Sequence, residues 1–178
     1  VAEGDRVVAL TRFGGYSDVV TVSAEQVVVL PAEISFEQAA AIPVNYLTAW
    51  LMLIWLGNVR ASDTVLVHAV AGGVGQAATQ ICLWRGATVI GTASAGKHPR
   101  LKEAGGTHAI DYHAKNFKEE VKRITEGRGV DLVLDAVGGD SFQKSYDCLA
   151  PLGRLFVYGV SSLAPQKSRS IVAALKGL

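Results

Sequence analysis

Between Thr64 and Gly159, short apolar runs alternate with helix-forming segments, and this alternation constrains the fold more than any other feature of the chain. Strands are predicted at 64–68, 87–91, 108–110, 130–134 and 154–159. Helices are predicted between them, ending near 85 and spanning 99–104, 116–126 and 140–149. Successive strands joined through helices pair in parallel by right-handed crossovers. The sequence therefore predicts an α/β fold built on a doubly wound parallel sheet.

The segment before this alternation has a different pattern. Valine-rich runs at 5–10 and 19–30 predict short antiparallel strands joined by glycine turns. Ser35 and Gln38 have the spacing of a capping box, which predicts a helix from there to about Leu56, where Gly57 ends it. The apolar stretch 39–56 approaches the length of a membrane span but contains Pro43, Asn45 and Thr48, so a buried helix is favoured over a transmembrane segment.

The overall charge and the cysteine content exclude several function classes. The formal net charge is +1, and no run of like charge is present, so nucleic acid is not expected as a partner. Cys82 and Cys148 make neither a disulfide framework nor a zinc-spaced cluster, so we expect a reducing, cytoplasmic setting and no metal. The N-terminus has no leader pattern and enters directly into a predicted strand, as a fragment of a longer chain would.

A glycine-rich turn follows the first strand of the alternating region and opens a helix. Gly72, Gly73 and Gly75 lie in this turn, where Gly72 would let a pyrophosphate approach the backbone and Gly75 would let helix and strand pack closely. Val70 replaces the first glycine of the usual dinucleotide fingerprint, so the pattern counted from Ala69 is A-x-x-G-x-x-G. The position of the turn within a strand-turn-helix unit favours nucleotide binding by a Rossmann-type domain over a turn of purely structural role.

The end of the second strand indicates which dinucleotide is bound. An acidic residue there would bind the ribose 2′-hydroxyl of NAD, but the chain instead has Thr92, Ser94, Lys97 and Arg100. Hydroxyls and cations suit a 2′-phosphate, which favours NADPH. The alternative is that Lys97 and Arg100 lie on a solvated helix start.

Several longer segments resemble the zinc-independent quinone oxidoreductase group of the medium-chain dehydrogenase/reductase superfamily, and within it the vesicle amine transport protein branch. The segments that carry the resemblance are Asn45–Trp50, His68–Gly75, Gly91–Lys97, His108–Tyr112, Gly129–Asp135 and Leu152–Gly159. The resemblance implies three parts: the end of a GroES-like β-domain over 1–35, an NADP-binding Rossmann domain over 36–162, and the start of a C-terminal segment over 163–178.

The resemblance also implies which residues hold the cofactor. Thr48 would lie near the nicotinamide, and Gly72, Gly73 and Val74 would contact the pyrophosphate. The 2′-phosphate side would be formed by Ser94, Lys97 and Tyr112. The loop after the fifth strand would approach the nicotinamide through Tyr158, Gly159, Val160 and Ser161. The loop from Gly91 to Lys97 is one residue shorter than in some quinone reductases, which leaves the phosphate ligand open among Thr92, Ser94 and Lys97.

The activity implied is the reduction of a quinone or an α,β-unsaturated carbonyl, with hydride delivered to carbon and a proton taken from solvent. The cysteine cluster of the zinc-dependent relatives is absent, and no catalytic residue is identified. The partner is expected to be a small-molecule substrate, and the full-length protein a homodimer. Two alternatives stay open: an enoyl reductase module of a polyketide or fatty-acid synthase, and a non-catalytic NADPH-binding vesicle component.

Several residues have a plain structural interpretation beside the functional one. His68 is expected to fix local backbone rather than donate to a phosphate. Asn45 could orient a substrate or bond within its helix turn. Tyr46, Trp50 and Trp55 recur on one helix and are expected to be mostly core. Asp131 and Asp135 bracket a strand and do not suggest a carboxylate pair.

Overall fold

A computed structural model describes residues 1–106 and 108–161 of the chain. These residues form two compact units, of which the first is Val1–Leu47 and the second begins at Thr48. The predicted C-terminal segment, 163–178, lies outside the described residues.

The first unit contains a two-stranded antiparallel sheet and most of a long helix. Strand β1 (Val7–Ala9) pairs with β2 (Val27–Val29), with Val7 opposite Val29. The guanidinium of Arg6 donates to the carbonyl of Ile34 at 2.6 Å and lies 4.7 Å from the ring centroid of Phe36. Arg6 therefore ties β1 to the segment that leads into the helix.

Helix α1 (Phe36–Trp50) has the predicted capping box. Ser35 Oγ accepts from the backbone N–H of Gln38 at 3.2 Å, and Gln38 Oε1 accepts from the N–H of Ser35 at 2.9 Å. The helix continues as a π-helical segment over Leu51–Leu56 and ends at Gly57, whose added Cβ would collide with the carbonyl oxygen of Met52. The predicted start and end are both confirmed.

The expectation that this helix is buried, with its aromatic residues in the core, is wrong. The buried positions are Ala39, Ala49, Met52 and Leu53, whereas Trp55 is 79% exposed and Trp50 is 44% exposed. In the part of the chain that the structure describes, Phe36–Leu56 has the length and hydropathy of a possible membrane span, with 22% of its apolar window buried.

The second unit is built on a five-stranded parallel sheet, which confirms the predicted fold class. Its strands are β3 (Thr64–Val67), β4 (Thr88–Ala93), β5 (His108–Asp111), β6 (Val130–Asp135) and β7 (Leu149–Val157). The spatial order is β5-β4-β3-β6-β7, so the order reverses between β3 and β6. In open sheets of this type, ligands bind beyond the carboxyl ends of the strands at that reversal.

Four helices connect these strands: α2 (Gly73–Trp84), α3 (His98–Glu103), α4 (Phe117–Ile124) and α5 (Asp140–Tyr146). Leu66, Ile90 and Val133 are fully buried at the centre of the sheet, and Val121 packs against this core from α4. Apolar runs of this kind suit strands that are covered on both faces.

Three element boundaries differ from the predictions for identifiable reasons. Strand β7 begins at Leu149 because Leu149 pairs with Val130, and α5 therefore ends at Tyr146 instead of continuing to 149. The irregularity within β7 lies at Leu152, whose φ is 66°, a left-handed conformation that is unusual outside glycine. Strand β4 continues to Ala93, two residues past its predicted end, because Ala93 pairs with Asp111.

Candidate functional site

A crevice of about 560 Å³ lies at the carboxyl ends of the parallel strands. The segments that follow each of the five strands contribute to its lining, and all of them belong to the second unit. The polar lining residues are His68, Thr92, Ser94, Lys97, Tyr112, Lys115, Asn116, Asp140, Ser141, Lys144 and Ser161. The crevice is therefore a product of topology, because parallel strands bring their following loops to one edge of the sheet.

The turn from β3 into α2 forms one side of the crevice. Ala69 has a φ of 49°, a left-handed conformation that costs free energy for a residue with a side chain. Gly72 is the N-cap of α2, and a Cβ added there would meet only the carbonyl oxygen of Ala69, at 3.2 Å. A Cβ on Gly75 would lie 2.6 Å from Ala69 O and from Val70 Cα and O. Gly75 is thus required by packing, whereas Gly72 leaves the backbone open toward the crevice.

The beginning of α2 is suited to an anion. The first turn of this twelve-residue helix contains no acidic residue, and no side chain caps its N-terminus. The helix dipole and the backbone N–H groups of the first turn therefore present a positive end beside Gly72. This is the arrangement in which helix N-termini bind phosphate.

The charges around the crevice favour an anionic ligand as well. Lys97, Lys115 and Lys144 contribute ammonium groups, and Asp140 is the acidic residue among the described lining residues. Lys115 also bonds the carboxylate of Glu120 at 3.1 Å. After β4 the lining consists of Ser94 and Lys97, where an NAD-binding site would present a carboxylate.

A buried hydrogen-bond network forms the floor between the strand ends. The Asp135 carboxylate accepts from the backbone N–H of Val137 at 2.7 Å and of Gly138 at 3.0 Å, and from the hydroxyls of Ser145 at 2.8 Å and Ser141 at 3.1 Å. Burial alone would raise the pKa of Asp135, but the Gly138 N–H and the other donors hold it below its ordinary value.

His68 connects this network to the neighbouring strand. Its Nε2 lies 2.9 Å from Ser145 Oγ, and its Nδ1 lies 3.0 Å from Thr92 Oγ1. The ring is 2% exposed and packs edge-on against Phe117 at a centroid distance of 4.7 Å. Burial lowers the pKa of His68, although the nearby Asp135 raises it, so the imidazole is neutral at pH 7.

The predicted cofactor residues fall into three groups. Gly72, Ser94, Lys97, Tyr112 and Ser161 line the crevice. Gly73, Val74 and Gly75 form the first turn of α2 beside it. The remaining four, Thr48, Tyr158, Gly159 and Val160, are not among its lining residues.

The loop after β7 packs against the loop after β6. The N–H of Tyr158 donates to Asp135 O at 3.0 Å, and that of Ser161 donates to Ala136 O at 3.0 Å. Burial raises the pKa of Tyr158 to about 12. A Cβ on Gly138, whose φ is 66°, would lie 3.0 Å from Val160 Cγ1. The two loops are therefore fitted closely to one another.

Sequence reasoning missed Lys115, Asn116, Ser141 and Lys144. The signal that could have found them is positional, because residues just after a predicted strand meet at the same edge of a parallel sheet. His68 differs from its expectation, since both ring nitrogens bond side chains on β4 and α5 instead of local backbone. Asn45 Nδ2 donates to Ala41 O at 2.7 Å, which is the bond within the helix turn.

Asp131 and Asp135 serve separate partners. Asp131 pairs with Arg128 at 2.7 Å and accepts from the N–H of Thr64 at 2.7 Å, at the opposite end of β6 from Asp135. Within residues 1–106 and 108–161, no three His, Cys, Asp or Glu side chains are grouped so that they could hold a metal ion.

Comparison with known proteins identifies the kind of domain. The sequence model of the family described as zinc-binding dehydrogenase matches residues 73–176, which is more than half of the chain. The human synaptic vesicle membrane protein VAT-1 homolog is 45% identical over 171 residues, which cover 96% of this chain and 43% of that protein. The chain thus spans less than half the length of this relative.

Two solved structures share the fold at substantial sequence identity. The Escherichia coli quinone oxidoreductase complexed with NADPH has a TM-score of 0.87 and 37% identity, covering 99% of this chain and 55% of that one. The CurK enoyl reductase has a TM-score of 0.76 and 36% identity, covering 88% of this chain and 46% of that one. The resemblance to quinone oxidoreductases and to the vesicle protein branch is confirmed.

Proposed function

This chain belongs to the zinc-binding dehydrogenase family of medium-chain dehydrogenases and reductases, and we propose on that premise that its crevice binds NADPH for hydride transfer to a quinone or an α,β-unsaturated carbonyl. The observation that carries the proposal is the composition of the crevice after β4. Ser94 and Lys97 lie there, at the same edge of the sheet as the N-terminus of α2. The similar E. coli enzyme was solved with NADPH, which supports the same cofactor here.

The residues fit an extended ligand that has two separate anionic groups, a pyrophosphate and a 2′-phosphate. The open backbone at Gly72 and the first turn of α2 would hold the pyrophosphate through N–H groups. Lys97 and Ser94 would bind the 2′-phosphate by charge-assisted hydrogen bonds, and Tyr112 would cover the adenosine side. The loop containing Tyr158, Gly159, Val160 and Ser161, which is held against the β6 loop, would form the nicotinamide side together with Thr48.

The bound dihydronicotinamide would supply the hydride, and the chain would hold the nicotinamide ring and the substrate in position. Fixing the ring against an electron-poor carbon removes much of the entropy cost of the reaction. The cations of the crevice would bind phosphate, and the proton for the product would come from solvent.

We propose a zinc-independent reaction because the sequence contains two cysteines, Cys82 and Cys148, too few for the four-cysteine cluster of the zinc-dependent relatives. Both cysteines are buried. We further propose that the full-length protein is a homodimer, as the resemblance implies, and that it is cytoplasmic, as the cysteine content indicates.

The two alternative functions, an enoyl reductase and a non-catalytic vesicle component, are each supported by similarity to a known protein. The CurK structure favours an enoyl reductase, whose substrate would be an enoyl thioester. The VAT-1 homolog favours a membrane-associated role in which NADPH binding is retained. Turnover by the full-length protein distinguishes them: reduction of free quinones or enones supports the main proposal, reduction restricted to enoyl thioesters supports the first alternative, and binding without turnover supports the second.

Parallel calorimetric titration with NADPH and NADH tests the cofactor assignment. We expect tighter binding of NADPH, and we expect Lys97→Ala to weaken NADPH by at least about tenfold, because a hydrogen bond to a charged group contributes about 1.5–3 kcal/mol, while NADH changes little. Lys102→Ala, on the exposed side of α3 and outside the crevice, is the matched control. Equal losses for both nucleotides in Lys97→Ala would contradict the assignment.

A further inference from the structure

The sequence leaves Thr92, Ser94 and Lys97 as candidate phosphate ligands. The buried hydrogen-bond network around Asp135 distinguishes between these candidates. A hydroxyl binds a phosphate oxygen only by donating its proton, because the fully ionised phosphate is an acceptor. The direction of each hydrogen bond in the network therefore decides whether Thr92 can take part.

The direction is set at Asp135. Its carboxylate has no proton to donate and receives four donors: two backbone N–H groups and the hydroxyls of Ser141 and Ser145. The proton of Ser145 is therefore committed to Asp135. Ser145 is fully buried, so its remaining lone pairs must be satisfied inside the protein.

The donor and acceptor roles of His68 follow from those of Ser145. Because the Ser145 hydroxyl donates its hydrogen bond to Asp135, Ser145 Oγ must accept a hydrogen bond from His68 Nε2 across the 2.9 Å contact. The neutral imidazole carries one proton, so Nδ1 is left as an acceptor. Thr92 Oγ1, 3.0 Å away, must therefore donate to Nδ1. Its single proton is then directed away from any ligand.

We propose that Asp135, Ser145 and His68 are positioning residues that fix the proton of the Thr92 hydroxyl inside the protein, which excludes Thr92 as a phosphate ligand and leaves Ser94 and Lys97 to bind the 2′-phosphate. Thr92 keeps only acceptor capacity toward the crevice. Ser141 is restricted in the same way, because its proton is also committed to Asp135. A ligand group beside these two hydroxyls must be a donor, such as a ribose hydroxyl or an amine.

Because Thr92 and Ser141 can only accept hydrogen bonds from a ligand, the crevice wall selects ligand groups by their donor or acceptor character as well as by charge. A phosphate oxygen beside Thr92 would meet a lone pair with no proton between them, which leaves a buried polar contact unsatisfied. Moving the anion toward Lys97 and Ser94 removes that conflict. The inference rests on the proposed NADPH site for its ligand, but the direction of the network is a property of the protein alone.

The tautomer of His68 tests the network without any nucleotide. Nitrogen NMR of the full-length protein labelled with ¹⁵N-histidine distinguishes a protonated from an unprotonated ring nitrogen, and His68→Gln assigns the signal. We expect the neutral Nε2–H form of His68. The Nδ1–H form would overturn the proposal, whether or not NADPH binds.

Asp135→Asn provides a directional test. The asparagine Oδ1 would still accept from the N–H groups of Val137 and Gly138, so its Nδ2 would donate to Ser145 Oγ. The hydrogen bonds from Ser145 to His68 and from His68 to Thr92 would then reverse their direction. We expect His68 to change to the Nδ1–H tautomer. Asp131→Asn, at the other end of β6 and outside the network, should leave the tautomer unchanged. An unchanged tautomer in a folded Asp135→Asn protein would contradict the proposal.

The ligand part is tested by the ratio of NADPH to NADH affinity in the full-length protein. Thr92→Val, in which valine has a shape similar to threonine, should change the NADPH and NADH affinities equally and keep their ratio within about twofold of the wild-type ratio. Ser94→Ala should lower the ratio of NADPH affinity to NADH affinity by at least about tenfold. A lowered ratio in Thr92→Val would overturn the assignment. If the wild type bound neither nucleotide, the proposed function would fail while the tautomer would still decide the direction of the network.

Discussion

Gly72 and Gly75 lie three residues apart at the start of α2 and have different roles. Gly75 is enclosed by backbone atoms of Ala69 and Val70, which cannot move without disturbing the turn out of β3. Gly72 faces only one carbonyl oxygen and has an ordinary φ of −78°. The fingerprint encodes one glycine for packing, which the contacts of Gly75 confirm, and another for backbone access to a phosphate, which for Gly72 stays a prediction.

Gly75→Ala should destabilise the fold, whereas Gly72→Ala should mainly impair nucleotide binding. The collision at 2.6 Å places Gly75→Ala in the range of overpacked sites, about 1–3 kcal/mol. Thermal unfolding and NADPH titration measure the two effects separately. Gly15→Ala is the control, because its added Cβ would meet only Thr11 Oγ1 at an ordinary 3.8 Å and it lies far in sequence from the crevice residues. Equal stability of the Gly72→Ala and Gly75→Ala proteins would show that the packing argument is wrong.

His68 should make stability depend on pH. Burial holds the pKa of His68 below its unfolded value of about 6.5, so the unfolded chain binds more protons in this range. Its contribution to stability is complete above about pH 6.5 and is lost as the pH falls toward the folded pKa. Asp135 acts in the same direction at lower pH, because its folded pKa lies below its ordinary value and its contribution is lost only as the pH falls through that folded pKa.

Denaturant unfolding at several pH values checks this expectation. The free energy of unfolding should decrease from pH 7 to pH 5 in the wild type, and His68→Gln should reduce that decrease, because glutamine does not titrate. The same slope in both proteins would assign the acid sensitivity to other groups.

The partners of His68 show why part of the site could not be predicted. Thr92 is 24 residues away and Ser145 is 77 residues away, so no local pattern relates them. The sequence placed His68 at the end of a predicted strand but gave no direction for its side chain. Packing of α5 beside β6 and β7 decides those contacts.

At the scale of elements, periodicity and caps predicted the order of strands and helices, while pairing decided their ends. The capping box at Ser35 is local in sequence and was predicted correctly. The extension of β4 to Ala93 and the start of β7 at Leu149 depend on their partners Asp111 and Val130. Strand ends therefore required the sheet to be known, which is a non-local property.

Ser35→Ala should lower stability by about 1 kcal/mol, because the N-cap hydroxyl of α1 accepts from the N–H of Gln38. Ser23→Ala is the matched control, since Ser23 precedes the 3₁₀ turn Ala24–Gln26 without making a side-chain cap bond. Denaturant unfolding compares the two variants with the wild type. An equal effect of both substitutions would assign the loss to something other than the cap.

At the scale of the whole molecule, the sequence predicted the class of fold and the edge of the sheet that carries the site. It did not predict which side of α1 and its π-helical continuation is covered: Trp55 and Leu47 are exposed, while Ala49 and Leu53 are buried. Hydrophobicity along a helix shows that some face can be buried, but the neighbouring elements decide which one. The same limit applies to Thr48, whose predicted place beside the nicotinamide stays a prediction.

The measurement that most directly tests the central claim is hydrogen exchange of the full-length protein with and without NADPH, read by mass spectrometry. We expect protection in peptides covering 68–76, 92–98 and 112–117, because these segments line the crevice or form the first turn of α2. NADH should protect 92–98 less, since it lacks the 2′-phosphate. Protection elsewhere without these segments, or no protection at saturating NADPH, would contradict the account.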